Sequence, residues 1–317
     1  MLDCLLIIVG LVMLYIGAEL LIRGSVNVAL ILGLRPAIIG LTVVAIGTSA
    51  PELVASIYAS IRGSTDVTLG NVLGSNIANI GAVLAIGATI TPLLFAREIA
   101  IKEYPILLLF TLLLFALAYD QNLSFLDGIL LLTGLILFNA YLLISIKYNK
   151  KRPEVEIALA VTNELIVKKR PSLLFESIVT ILGIAILLTG AYLLVESAVS
   201  LARAVGVSEL IIGITIVAIG TSIPELATTV IATIKRKSDI AIGAIVGSNI
   251  YNIGLILGLA AIVAPIEVSK SVLNQEMIVM LLFTLALIPL AIIGKARRTS
   301  GLILISLYIF FILYILI

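Results

Sequence analysis

Two glutamates stand directly after prolines inside apolar runs, Glu52 in GTSAPE and Glu225 in GTSIPE. Proline has no N–H and its ring collides with the preceding turn, so a helix through Pro51 or Pro224 must kink or break. The carbonyl of Gly47 loses its donor, with Ala45 and Thr48 in the same disturbed turn; Gly220, Ala218 and Thr221 repeat the pattern. Broken backbone at membrane depth is tolerated only against protein or water, where freed carbonyls can meet a cation. Thr48, Ser49, Thr221 and Ser222 add hydroxyls. A second motif reads GSNIANIG at 74–81 and GSNIYNIG at 247–254. Helical spacing puts Ser75 with Asn79, and Ser248 with Asn252, on one face. Asn76 and Asn249 point elsewhere, where an amide can tie neighbouring helices together.

Two carboxylates, two amide oxygens, backbone carbonyls and several hydroxyls form an all-oxygen set. Such sets suit hard cations: Ca²⁺ takes about 6–8 oxygens, and Mg²⁺ gives up its water reluctantly. Na⁺ has a radius close to that of Ca²⁺ and half its charge, so one flexible shell can hold either. The chain has no histidine and one cysteine, Cys4. That removes the ligands preferred by zinc, copper and nickel, and any internal disulfide. An ionised carboxylate at the bilayer centre costs roughly 2.5–3.5 kcal/mol, and no Lys or Arg sits at comparable depth to offset two. Cation binding, protonation and a wide aqueous pore are the possible reasons for keeping them. The oxygen-rich surroundings favour a cation site.

The elements that position these residues occur twice. Gly40–Gly81 and Gly213–Gly254 align without a gap at an offset of 173, with 22 identities over 42 positions. Glu52 falls on Glu225, Asn79 on Asn252 and Asp66 on Asp239. The identities gather on Gly, Thr, Ser, Pro, Glu and Asn, the residues hardest to place in hydrocarbon. Shared helix pattern alone would not keep them.

The whole chain is 62% hydrophobic and 12% charged, with a mean hydropathy of +1.28. A soluble fold could not bury that much apolar surface. Segments near 2–22, 36–61, 67–94, 103–119, 125–146, 173–195, 208–234, 240–265, 276–294 and 301–317 approach or exceed the ~20 residues that cross a bilayer. The first begins at residue 2 without a basic leader region, which reads as a retained helix. The sequence therefore predicts an all-α membrane protein of ten transmembrane helices, with broken helices around a central site. Five spans, 1–146, precede a short polar connector, 147–171, and five follow it, 172–317. An odd number of spans per half inverts the second copy, an architecture that sets transporter sites near the midplane. With the N-terminus outside, seventeen basic residues fall on cytoplasmic loops and three, Arg62, Arg203 and Lys270, fall outside. That asymmetry predicts both termini outside the cell membrane and a cytoplasmic connector. The connector is too short for a folded regulatory domain; an interfacial turn is expected at Val155–Val167.

With both motifs doubled, the chain resembles the cation/calcium antiporter superfamily, and within it the prokaryotic sodium/calcium exchanger branch. The resemblance spans the whole chain. It implies a transporter, not an enzyme, without a cofactor. Its substrates would be Na⁺ and Ca²⁺, its surroundings lipid, its unit a monomer, with no nucleic-acid partner. Glu52 and Glu225 match the family's central acidic ligands, and Thr48 and Thr221 its carbonyl ligands. Asn79 and Asn252 complete the central shell. Ala45, Ser49, Ser75, Ala218, Ser222 and Ser248 match positions around flanking Na⁺ sites. Helices one and six match the long pair thought to switch access. The family pattern often has Asp where Asn252 stands, so this centre holds two carboxylates. Potassium-dependent relatives carry acids at these positions, and proton/calcium exchangers carry GNxxE in place of GTSxPE. Exchange of about three Na⁺ for one Ca²⁺ would move net charge past two fixed negatives. Proton-coupled cation exchange, a cation channel and a non-transporting scaffold are the rival readings.

Overall fold

The computed structural model describes residues 2–149, 172–204 and 218–316. The expected turn at Val155–Val167, most of the connector and the first part of the seventh segment lie outside them.

Helix α1 (Leu2–Leu32) opens the chain and stops at Gly33, whose φ of +65° only a residue without a Cβ adopts freely. Pro36 then starts α2 (Pro36–Thr48), and after a break α3 (Ala50–Ile61) follows at 48° to it. Next come α4 (Thr65–Ile90), α5 (Ile99–Asp120) and α6 (Phe125–Asn149). The second half repeats this order: α7 (Leu173–Ala204), α8 (Ala218–Thr221), α9 (Ile223–Ile234) and α10 (Ser238–Val263). A short α11 (Lys270–Asn274), α12 (Glu276–Ile293) and α13 (Arg298–Leu316) complete it. Among the described residues, eight helices are long and apolar enough to cross a membrane, or nine if α2 and α3 form one bent span. The expected seventh span, 208–234, is described only from Ala218.

Two ends differ from expectation. The first and sixth helices were expected to stop at 22 and 195, but run on to Leu32 and Ala204. Arg23 therefore lies inside α1 and not in a loop. The reason is lateral packing: α1 and α7 run antiparallel in close contact, their extra turns lie at opposite ends of the pair, and each extension buries residues of its own, Ser25 and Ala29 on α1 and Ser197 and Val199 on α7. Gly10, Gly17 and Gly24 on α1 meet Gly190, Gly183 and the Glu176–Thr180 turn on α7. A Cβ at Gly183 would come within 2.5 Å of the Leu21 nitrogen, so the helix backbones touch.

The core is formed by α10 and α4. The most apolar stretch of α10 is 94% buried and that of α4 72%, against 17–39% for the other long helices. The outer helices show apolar faces instead, with Leu5, Ile8 and Leu11 on α1 and Phe310 and Leu313 on α13 exposed. This is the inside-out economy of a protein dissolved in lipid. Two short antiparallel ladders tie the halves together. Strand β1 (Leu93–Leu94) pairs with β4 (Lys295–Ala296), and β2 (Asn122–Leu123) with β3 (Ile266–Glu267).

Candidate cation site

The breaks expected from the two prolines occur one turn before each glutamate. Ser49 (φ −80°, ψ 9°) separates α2 from α3, and Ser222 (φ −87°, ψ 4°) separates α8 from α9. Pro51 and Pro224 occupy the first turns of α3 and α9, where a missing N–H costs nothing. Glu52 and Glu225 share those first turns, at helix N-termini that favour negative charge. Both are almost fully buried, at 1% and 3% exposed. The Ser49 hydroxyl donates to Glu225 Oε1 at 3.1 Å, joining the break of one half to the carboxylate of the other. Among the described residues, neither carboxylate forms an ion pair with a Lys or Arg.

Opposite them, α4 and α10 each widen into a π-helical turn, at Asn79–Leu84 and Asn252–Leu257. A π turn inserts one extra residue into the helix and re-aims the side chain that opens it, which is why such turns favour functional sites. Here the re-aimed residues are Asn79 and Asn252. The segment after Asn252 packs on α3 and the segment after Asn79 on α9, so each glutamate faces the other half's asparagine turn. The amides are held from behind. Asn79 Nδ2 donates to Asn249 Oδ1 at 2.9 Å, and Asn252 Nδ2 donates to Asn76 Oδ1 at 3.0 Å. These two bonds exchange under the 173-residue offset. They fix the nitrogens and leave Asn79 Oδ1 and Asn252 Oδ1 buried without a donor. Glu52 Oε2, Glu225 Oε2, Ser222 Oγ and Ser248 Oγ are buried and unpartnered as well.

The remaining expected residues lie on α2, α4 and α8, the helices that carry the breaks and the first asparagine turn. Thr48 is fully buried and its hydroxyl turns back to the Ala45 carbonyl at 3.3 Å. Ala45 packs against Gly247, where an added Cβ would meet the Leu41 carbonyl at 2.6 Å; α10 needs that glycine to lie so close to α2. Ser75 is buried on α4 and Thr221 is partly buried beside the second break. Ala218 opens α8, and its side chain falls outside the described residues. Asn71 escaped the sequence reading: its Nδ2 donates to Ser56 Oγ at 2.9 Å and to the Glu52 carbonyl at 3.3 Å. A lone amide in the apolar part of the fourth helix was its only signal, since Ala244 stands at the matching place in the repeat.

Comparison with known proteins fits this geometry. The profile of the sodium/calcium exchanger protein family matches residues 3–146 and 176–317. The chain belongs to that family. A putative antiporter, CaxA of Alkalimonas amylolytica, is 38% identical over 296 residues, covering 93% of this chain and 91% of its own. The sodium/calcium exchanger MaX1 of Methanosarcina acetivorans is 30% identical across 98% of this chain and 97% of its own. Among solved structures, the sodium-calcium exchanger NCX_Mj soaked with Na⁺ and Ca²⁺ matches with a TM-score of 0.83 at 32% identity, over 98% of this chain and 97% of that one.

Membership makes this exchanger-family chain a multi-pass membrane antiporter and not an enzyme. Its centre is sparing in acid: among the described residues no group of three His, Cys, Asp or Glu side chains converges. Two carboxylates and neutral oxygens carry it. A second buried polar cluster lies away from the centre. Arg35, between α1 and α2, donates to Glu103 Oε1 at 3.1 Å, and its other arm lies 4.0 Å from Glu98. Glu103 is wholly buried in the π turn Ile99–Glu103 that begins α5, so Arg35 anchors α2 to the core.

Proposed function

We propose that the chain exchanges Na⁺ for Ca²⁺ by alternating access, through one central site shared by two inverted halves. The observation that carries this reading is the set of buried oxygens without donors: Glu52 Oε2, Glu225 Oε2, Asn79 Oδ1 and Asn252 Oδ1. A buried acceptor left unpaired costs free energy, and four around one centre call for a shared positive ligand. Oxygen alone selects a hard cation. Backbone carbonyls at Thr48 and Thr221 complete the Ca²⁺ shell. Ala45, Ser49, Ser75, Ala218, Ser222 and Ser248 serve flanking Na⁺ positions. The names of MaX1 and of the soaked NCX_Mj structure favour these two ions over others.

The ladders support inversion of the halves, 1–146 and 172–317, about the connector 147–171. Adding 173 carries β1 onto β3 and β2 onto β4, so a two-fold operation converts one ladder into the other. Helix α5 separates β1 from β2, which puts the ladders at opposite ends of the bundle. An operation that exchanges the ends has its axis in the membrane plane. Counting α8–α9 as one span gives ten in all. The basic-residue asymmetry, which persists with Arg23 and Arg203 moved into helices, supports both termini outside the cell membrane and the connector in the cytoplasm. A monomer is the transport unit.

Against two fixed negative charges, one Ca²⁺ gives a neutral site and about three Na⁺ give net +1, so exchange moves charge worth about 2.3 kcal/mol per 100 mV. The test is ⁴⁵Ca²⁺ uptake into proteoliposomes loaded with Na⁺, choline or acid. Uptake that requires internal Na⁺ and grows with inside-positive potential is expected. Glu52→Gln and Glu225→Gln should each abolish it while the protein stays folded. Uptake driven by protons alone would replace Na⁺ as the coupling ion, and full activity in either variant would overturn the site.

A further inference from the structure

Four buried threonines, Thr111, Thr180, Thr228 and Thr284, turn their hydroxyls back to the carbonyl four residues earlier, at 2.8–3.0 Å. That is the usual refuge of a hydroxyl in an apolar helix. Thr229 and Thr233 do not take it. They are 1% and 2% exposed, and neither Oγ1 has a partner. On α9 they follow Glu225 at i+4 and i+8, so one face of the helix carries Glu225, Thr229 and Thr233 in a row. At 1.5 Å per residue the row reaches about 12 Å from the carboxylate toward Lys235.

The matching row in the first half is Glu52, Ser56 and Ser60, and there the hydroxyls are tied down. Asn71 holds Ser56 at 2.9 Å, and Ser60 bonds Thr68 at 2.9 Å. The residues matching Asn71 and Thr68 in the second half are Ala244 and Ala241, which offer nothing. Instead the α9 row faces Gly87 near the end of α4. A Cβ there would sit 3.1 Å from Thr229 Cγ2 and 3.2 Å from Thr233 Oγ1. One row is sealed by hydrogen bonds; the other lies against Gly87 and keeps unpartnered hydroxyls at Thr229 and Thr233.

We propose that Thr229 and Thr233 line the path by which cations pass between Glu225 and the end of the molecule where Lys235 pairs with Glu19. A partially dehydrated cation moving along α9 would be handed from the carboxylate to two hydroxyls that have no competing bond to break. The α4–α9 seam at Gly87 is the part that parts to admit it. This rests on the exchange reading above and adds the route on one side.

Single Thr233→Cys and Thr229→Cys variants, with Cys4→Ser to remove the native thiol, test this in oriented vesicles. Membrane-impermeant methanethiosulfonate is added from one side or the other, and labelling is read by mass. The expected result is labelling of both positions only from the Lys235 side, with a rate that Na⁺ or Ca²⁺ changes, and loss of exchange on labelling. Absence of labelling from that side, or labelling from the opposite side, overturns the route. Thr229→Val/Thr233→Val retains shape and should lower exchange driven from the Lys235 side several-fold, leaving the opposite side's half-saturating Ca²⁺ concentration unchanged; unaltered exchange would also overturn it. If the Cys4→Ser parent moves no Ca²⁺ against Na⁺ but the labelling stays one-sided and cation-dependent, the exchange reading fails and the route stands.

Discussion

At the residue scale, the asparagine quartet explains how a site can be built with only two carboxylates. Asn76 and Asn249 hold the nitrogens of Asn252 and Asn79, so each free amide oxygen is presented in a fixed direction. An ionised Asp at 252 could not donate to Asn76 Oδ1, so the neutral residue and its partner form one unit. Asn249→Ala removes the acceptor for Asn79 and leaves a buried N–H₂ group unpaired, at a cost of about 1–3 kcal/mol. We expect a lower melting temperature in detergent and weaker Ca²⁺ protection against melting. Asn76→Ala should match it through Asn252, because the two bonds are repeat equivalents.

At the element scale, the long antiparallel pair α1 and α7 touches through backbone, glycine against glycine. A methyl at Gly183 has no flexible side chain to displace, only the main chain of Leu21 and Gly17. Gly183→Ala should therefore destabilise by about 1–3 kcal/mol through overpacking, or push the helices apart. Thermal melting reads the first outcome, and a distance between spin labels on α1 and α7 reads the second. A surface glycine with open space around it, Gly63, keeps a left-handed turn (φ +76°), and Arg236 takes the same turn at φ +57° in the repeat. Turn geometry has thus been kept where residue type has not.

Across the whole molecule, Arg35 and Glu103 join the entrance of α2 to the core; at the matching places in the repeat the sequence has Ser208 for Arg35 and keeps a glutamate, Glu276, for Glu103. Arg35→Met leaves the wholly buried Glu103 without its cation. Loss of one partner of a buried pair costs about 3–5 kcal/mol, and the partial exposure of Arg35 places the effect at the lower end. The double variant Arg35→Met/Glu103→Leu should recover most of the loss in a melting experiment, since no charge is then left buried. Recovery absent from the double variant would assign the loss to packing and not to charge.

Much of this was legible in the sequence because hydrocarbon is an unforgiving solvent. Pro51 and Pro224 had to break their helices, and glutamates beside them needed a partner, so the breaks at Ser49 and Ser222 and the buried pair could be read directly. The repeat fixed which residues correspond, and apolar lengths fixed most of the helices. Tertiary structure decided what lay between segments distant in the chain. The cross-bonding of Asn79 to Asn249 depends on how α4 meets α10, and no local rule gives that. The π turns at Asn79 and Asn252 leave no mark in hydrophobic periodicity, because the stretches that follow them, 80–88 and 253–261, are apolar all round and an extra residue there changes no polar pattern. The Arg35–Glu103 pair and the unpaired Thr229 and Thr233 hydroxyls also follow from packing alone: a polar group's partner is set by the element that happens to face it.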